Sequence, residues 1–207
     1  MTIMTKQLLN EAELLLLRKW DEARLLEQSM ERVREKYAAL FEKVAEAVTA
    51  GHPELDAHKI YPTQFWATGA IGFGRKTWPE GESYNLPGLW MDNLRLEVLA
   101  AEDHPPPIAG IWLSPKALKK TSLTMAKMRQ EITKEAPSLL AQDEYERHIR
   151  PGADAKYALN FAAPTKKEIL GMIAAGEGEK FVDTIVDQFD LMARFVPVLD
   201  RLFSSAN

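Results

Sequence analysis

The sequence predicts an α+β fold: a long N-terminal helix, then a mainly antiparallel sheet of about four strands packed by C-terminal helices. Three observations predict it. A heptad stripe runs through the first fifty residues, a proline- and glycine-punctuated stretch of alternating apolar residues follows, and capped amphipathic segments close the chain. Two domains are expected, residues 1–50 as the helix and residues 51–207 as a compact α+β body.

Steps of three and four from Leu9 reach Leu9, Ala12, Leu16, Lys19, Ala23, Leu26, Met30, Val33, Tyr37, Leu40, Val44 and Ala47, and only Lys19 breaks the apolar stripe. Side chains at that spacing share one helix face, and a sustained seven-residue repeat favours pairing with another helix. Neither proline nor glycine interrupts Thr5 to Ala50, and Gly51 with Pro53 supplies a stop. One uninterrupted helix of this length is roughly 60–70 Å long, beside a body whose radius of gyration is about 15 Å. The body cannot cover the whole stripe. The expected interface is therefore Leu9, Leu16, Ala23, Leu26, Met30, Val33, Tyr37, Leu40 and Val44, met by a second copy or by a helical protein partner. The apolar C-terminal helix competes as an intramolecular partner. Leu14, Leu15, Leu17, Trp20 and Leu25 widen the surface beyond a two-stranded seam, and Lys19 marks a layer of poor packing unless its ammonium reaches water.

Pro53 to Pro62 reads as a loop. Strands are expected at Phe65–Thr77, Leu89–Ala100 and Ile108–Leu113, the last after a rigid break at Pro105-Pro106-Pro107. Ser114-Pro115 opens a helix running to about Glu135, whose Lys116, Lys119, Lys120, Lys127 and Arg129 make it the most basic stretch; a solvated face is the simpler reading. A shorter helix over Ser138–Ile149, a fourth strand at Tyr157–Ala162 and a capping box at Thr165 to Glu168 come next. After Gly176 and Gly178, the residues Phe181, Ile185, Phe189, Met192, Val196, Leu199 and Phe203 line one face of a last helix that Pro197 kinks or ends.

The chain has 207 residues, 46% hydrophobic and 27% charged, which suits a folded body. Its net charge of −4 gives no global basic field for phosphates. The absence of cysteine removes disulfides and thiolate chemistry and fits a cytoplasmic protein. No apolar run approaches the roughly twenty residues of a membrane span, so no membrane partner is expected.

Catalytic motifs are few. Gly69 to Thr77 approaches a phosphate loop, but Arg75 stands between Gly74 and Lys76, and Trp78-Pro79 is a poor helix start. Arg75 and Lys76 remain a modest anion spot. His52, His58, His104 and His148 share no metal-ligand spacing. The aromatics Tyr61, Phe65, Trp66, Phe73, Trp78, Tyr84 and Trp90 suit a core or the wall of a ligand cleft. Asp92 and Glu97, expected on one strand, read first as solvated strand carboxylates; the order of elements is loosely similar to restriction-endonuclease-like folds, and only under that alternative are Asp92 and Glu97 metal candidates, with Lys76 a substitute for the lysine that Glu97-Val98-Leu99 lacks. The function expected first is a non-enzymatic interaction or assembly protein working through its N-terminal helix, with no cofactor. The alternative is a divalent-metal-dependent enzyme acting on nucleic acid or another phosphate ester, nucleic acid being the less supported partner.

Overall fold

The structure is a computed structural model that describes residues 10–60, 69–79, 87–113, 118–119, 122–150 and 157–204. It divides into two compact units, Met1–Tyr37 and Ala38–Asn207.

In the first unit, helix α1 spans Glu11–Arg18 and opens on a capping box: Asn10 Oδ1 accepts the Glu13 N–H at 2.9 Å and Glu13 Oε2 accepts the Asn10 N–H at 2.6 Å. Helix α2 spans Trp20–Gly51. The single uninterrupted helix expected from the sequence is thus broken at Lys19, whose backbone leaves the helical region at φ −117° and ψ 34°. The break falls on the one polar residue of the stripe. The Lys19 N–H closes α1 by donating to Leu15 O, and Lys19 O opens α2 by accepting the Ala23 N–H.

The second unit is built on a five-stranded antiparallel meander, β1 (Asp56–Ile60), β2 (Ala70–Gly74), β3 (Gly88–Asp92), β4 (Ile108–Trp112) and β5 (Tyr157–Phe161), in sequence order. Register fixes two faces. Ile71 pairs with Met91, Met91 with Ala109 and Ala109 with Phe161, while Phe73, Leu89, Ile111 and Leu159 align in the next row, and all of these are buried. Helices α7 (Gly178–Ala193) and α8 (Val196–Ser204) cover that face: Phe189 meets Phe73 edge-on at 4.6 Å, and Phe195, in the turn between the two helices, meets Phe161 at 5.7 Å. The C-terminal part of α2 joins the same core through Phe41, 5.5 Å from Phe181. From Ala38 onward the intramolecular partner expected for the first helix is therefore the one observed.

On the opposite face Gly72, Trp90, Gly110 and Asn160 align across four strands. A Cβ on Gly72 would stand 2.5 Å from the Trp90 indole, so the ring lies flat on the glycine; Trp90 and Trp112 then meet at 6.0 Å. Helix α4 (Met125–Leu139) runs beside β5, with Arg129 Nε donating to Tyr157 O at 3.2 Å. Helices α3 (Leu96–Ala100), α5 (Gln142–His148) and α6 (Lys166–Ala174) complete the unit among the described residues. The Thr165–Glu168 capping box forms as expected, and α6 stops at Gly176, whose φ of 71° suits glycine.

Several expectations are corrected. Asp56–Ile60 is a strand rather than loop, so the sheet has five strands. Residues 96–100 form a helix, because Asn93 turns the chain at φ 63° and its buried amide donates to Pro106 O at 2.8 Å. The Phe65–Thr77 strand is described only over Ala70–Gly74. Of the helix expected from Ser114 to about Glu135, Leu118 is helical, and a helix capped by Thr124 runs from Met125 through Pro137 to Leu139; Ser114-Pro115 lies outside the described residues. The last apolar helix is two helices parted at Arg194–Phe195, and Pro197 sits in the first turn of the second, where its missing N–H costs little.

Candidate interaction surface

The stripe changes character along α1 and α2. Leu16, Leu26, Met30 and Val33 are exposed, by 45–63% of their surfaces, and Ala23 is half-buried. Tyr37 and Val44 are buried, and Leu40 is half-buried. Burial also pushes the Tyr37 phenol far above its ordinary pKa. Leu9 lies outside the described residues. Exposed beside the stripe are Leu15, Leu17, Trp20 and Leu25, so the first unit presents eight exposed large hydrophobic side chains on fewer than thirty residues of helix. Scattered single hydrophobics are ordinary on protein surfaces; of these eight, Leu26, Met30 and Val33 share one stripe of α2, and apolar residues gathered in that way are a candidate interaction surface.

The polar side chains of this segment do not supply the missing burial. Lys19 Nζ pairs with Glu22 Oε2 at 2.8 Å and Arg34 with Glu31 at 3.4 Å, one turn apart on an exposed helix. Such pairs contribute about 0.3–0.5 kcal/mol each, far less than the roughly 1.5–3 kcal/mol of a fully covered Leu or Met side chain.

The residues considered for catalysis have separate local duties. Asp92 Oδ1 accepts the Asn93 N–H at 2.8 Å and so sets the turn after β3. Glu97 sits on α3, not on the strand with Asp92 as expected, and takes Arg95 Nε at 2.9 Å. Lys76 lies 3.4 Å from Asp56, and Arg75 pairs with Asp200, so both cations of the supposed anion spot already have carboxylate partners. Asp200 also accepts the Trp78 indole N–H at 2.7 Å. That three-residue cluster joins the end of β2 to α8 and is not legible in the sequence, because more than 120 residues separate Asp200 from Arg75 and Trp78. Among the described residues no group of three or more His, Asp or Glu side chains is placed to hold a metal ion. No described helix is long and apolar enough to cross a membrane.

Of the aromatics, Phe73 is in the helix-covered core, Trp78 packs on Phe203 at 5.7 Å, and Trp90 lies on the glycine face; Tyr61, Phe65, Trp66 and Tyr84 lie outside the described residues. An open groove of about 960 Å³ runs between α5, α6 and α7, with Arg147, His148, Lys167, Glu168, Glu177 and Lys180 on its walls. Two of its cations have carboxylate partners: Arg147 pairs with Asp143 at 2.7 Å and Lys180 with Glu177 at 2.9 Å. Burial, then the Arg147 cation, lowers the His148 pKa. This groove gathers no nucleophile–base pair.

Compared with protein-family models, with curated proteins and with solved structures, the chain matches none.

Proposed function

We propose that this is a non-enzymatic interaction or assembly protein that associates through its long N-terminal helix, the partner being a second copy or another helical protein. One observation carries the reading: the heptad stripe of the first unit is apolar yet exposed from Leu16 to Val33. The hydrophobic effect is the driving force, since covering that surface removes apolar area from water.

The magnitudes favour reversible association. Leu16, Leu26, Met30 and Val33 are each about half exposed, so pairing two such helices recovers roughly 6–12 kcal/mol at half the full-burial value per side chain. Loss of translational and rotational freedom costs about 4–15 kcal/mol. The two nearly offset one another. Association should therefore depend on concentration rather than be permanent.

Light scattering on the unmutated chain and on Leu26→Asp and Val33→Asp tests the proposal. A mass above the monomer that falls to the monomer in both variants, with the circular dichroism of the body retained, is expected. A monomer before and after substitution, with the fold intact, defeats it.

A further inference from the structure

We infer that the groove between α5, α6 and α7 is a ligand site of the second unit, independent of the N-terminal stripe, and that it takes a small monocarboxylate whose apolar body carries an N–H or O–H donor.

A polar residue at a core position points to it. Steps of four and three from Phe181 reach Ile185, Gln188, Met192 and Phe195, and Gln188 alone among them is polar. The four apolar members are buried, whereas Gln188 is half-buried on the wall of the groove. Its Oε1 is shut away from solvent and meets no hydrogen-bond donor among the described residues. A buried carbonyl oxygen left without a donor is costly and rare in a folded protein. A leucine would fill the same place without that cost. Gln188 is thus a poor choice for stability and a good one for a site whose missing donor arrives with a ligand.

The other walls define the rest of that ligand. Ala162, Ala163, Pro164, Met172 and Ala175 offer apolar surface. Arg147 and Lys180 are engaged by Asp143 and Glu177. Lys167, in the first turn of α6, has no carboxylate partner among the described residues. Glu168 beside it is held in its own capping box, where Oε2 accepts the Thr165 N–H at 2.7 Å and the Thr165 hydroxyl at 2.8 Å. One free ammonium matches one carboxylate rather than a polyanion. The volume of about 960 Å³ suits a small molecule, whose sites span roughly 300–1,000 Å³. His148 adds a reporter. Burial and then Arg147, with Arg150 and Arg194 in the same sense and Glu144 against them, lower its pKa, so the ring is mostly neutral at pH 7. A carboxylate bound in the groove favours the imidazolium and raises that pKa.

Two measurements on the full-length protein test this. Gln188→Leu keeps the bulk and removes the unmet oxygen, so its melting temperature should equal or exceed that of the unmutated protein. A clear fall shows that the Gln188 amide is satisfied in the free chain and overturns the inference. Next, N-acetylleucine, which has one carboxylate, one amide N–H and an isobutyl body, is titrated while backbone amides and the His148 ring proton are followed by nuclear magnetic resonance. Saturable shifts confined to the groove, with a dissociation constant of about 1 mM or below, and a raised His148 pKa in the bound state are expected. Binding should weaken at least tenfold in Gln188→Leu and in Lys167→Glu and persist in Lys167→Arg. Hexanoate, which keeps the charge and the apolar body but lacks the donor, should bind at least tenfold more weakly. Binding that Gln188→Leu leaves unchanged overturns the inference, as does hexanoate binding equal to that of N-acetylleucine. Absence of saturable shifts with both N-acetylleucine and 2-hydroxyhexanoate, one probe for each kind of donor, overturns it as well.

Discussion

Val33 and Tyr37 stand one helical turn apart on the same stripe of α2, yet Tyr37 is 2% exposed and Val33 47%. Two positions of one heptad pattern thus answer to different demands. Val44, further along, is fully buried beside Phe41 and Val48 in the second unit. An acidic residue at Val44 would bury an unpaired carboxylate, and Val44→Asp is expected to cost more than about 4 kcal/mol of folding stability. Val33→Asp should alter the stability of the single chain by less than about 0.5 kcal/mol, the usual range for an exposed site, while it abolishes association. Urea unfolding and light scattering on the same two variants separate the effects.

The Asp200 carboxylate serves both Arg75 and the Trp78 indole N–H. Asp200→Ala leaves a half-buried guanidinium and an indole donor without their acceptor, and a loss of roughly 1–2 kcal/mol is expected from the unmet donors. The midpoint of urea unfolding should fall with an unchanged slope. Asp200→Asn keeps one acceptor and should lose less.

Gly72 lies beneath the Trp90 ring with no room for a methyl group. Gly72→Ala must push the indole aside, and a cost of about 1–3 kcal/mol is expected from overpacking. A shifted near-ultraviolet dichroism together with a lower melting temperature checks it.

Acid should weaken the second unit in two steps of the same sign. Burial and the nearby Arg147 cation lower the His148 pKa below its ordinary 6.5, so the unfolded chain takes up a proton that the folded chain resists. Stability is full above that value and falls as the pH drops through it. Glu144, hydrogen-bonded by Arg194 and by the Ala141 N–H, and Glu168, hydrogen-bonded by the Thr165 N–H and hydroxyl, have lowered pKa values. Their contributions are present above the ordinary carboxylate value of 4.5 and are lost as the pH falls through the lowered ones. Melting temperatures from pH 8 to 3 should show both steps, and His148→Gln should remove only the upper one.

The elements legible in the sequence are those whose signal is local. The stripe ending at Ala47, the Thr165–Glu168 box and the apolar face from Phe181 to Phe203 each declare themselves through a period or a cap. Asp56–Ile60 hid between Pro53 and Pro62 because its identity as a strand rests on pairing with β2. Leu94, Leu96 and Val98 alternate as a strand would, but the five residues of α3 are too few for a helical period to declare itself, and the turn at Asn93 depends on a carbonyl thirteen residues away. The sequence therefore reads Glu97 as a strand residue, and it does not reveal the partner of Arg75, which lies near the other end of the chain. For the interaction surface the residues are legible in the heptad stripe; that exposure ends between Val33 and Tyr37 is not, since the period is the same on either side of it.

Amide hydrogen exchange over residues 20–36, measured across a hundredfold range of protein concentration, tests the central claim most directly. Protection of this segment should rise with concentration as its apolar stripe becomes covered, while β3 and β4 exchange at a constant rate. Exchange over residues 20–36 that stays fast and identical at every concentration would contradict it.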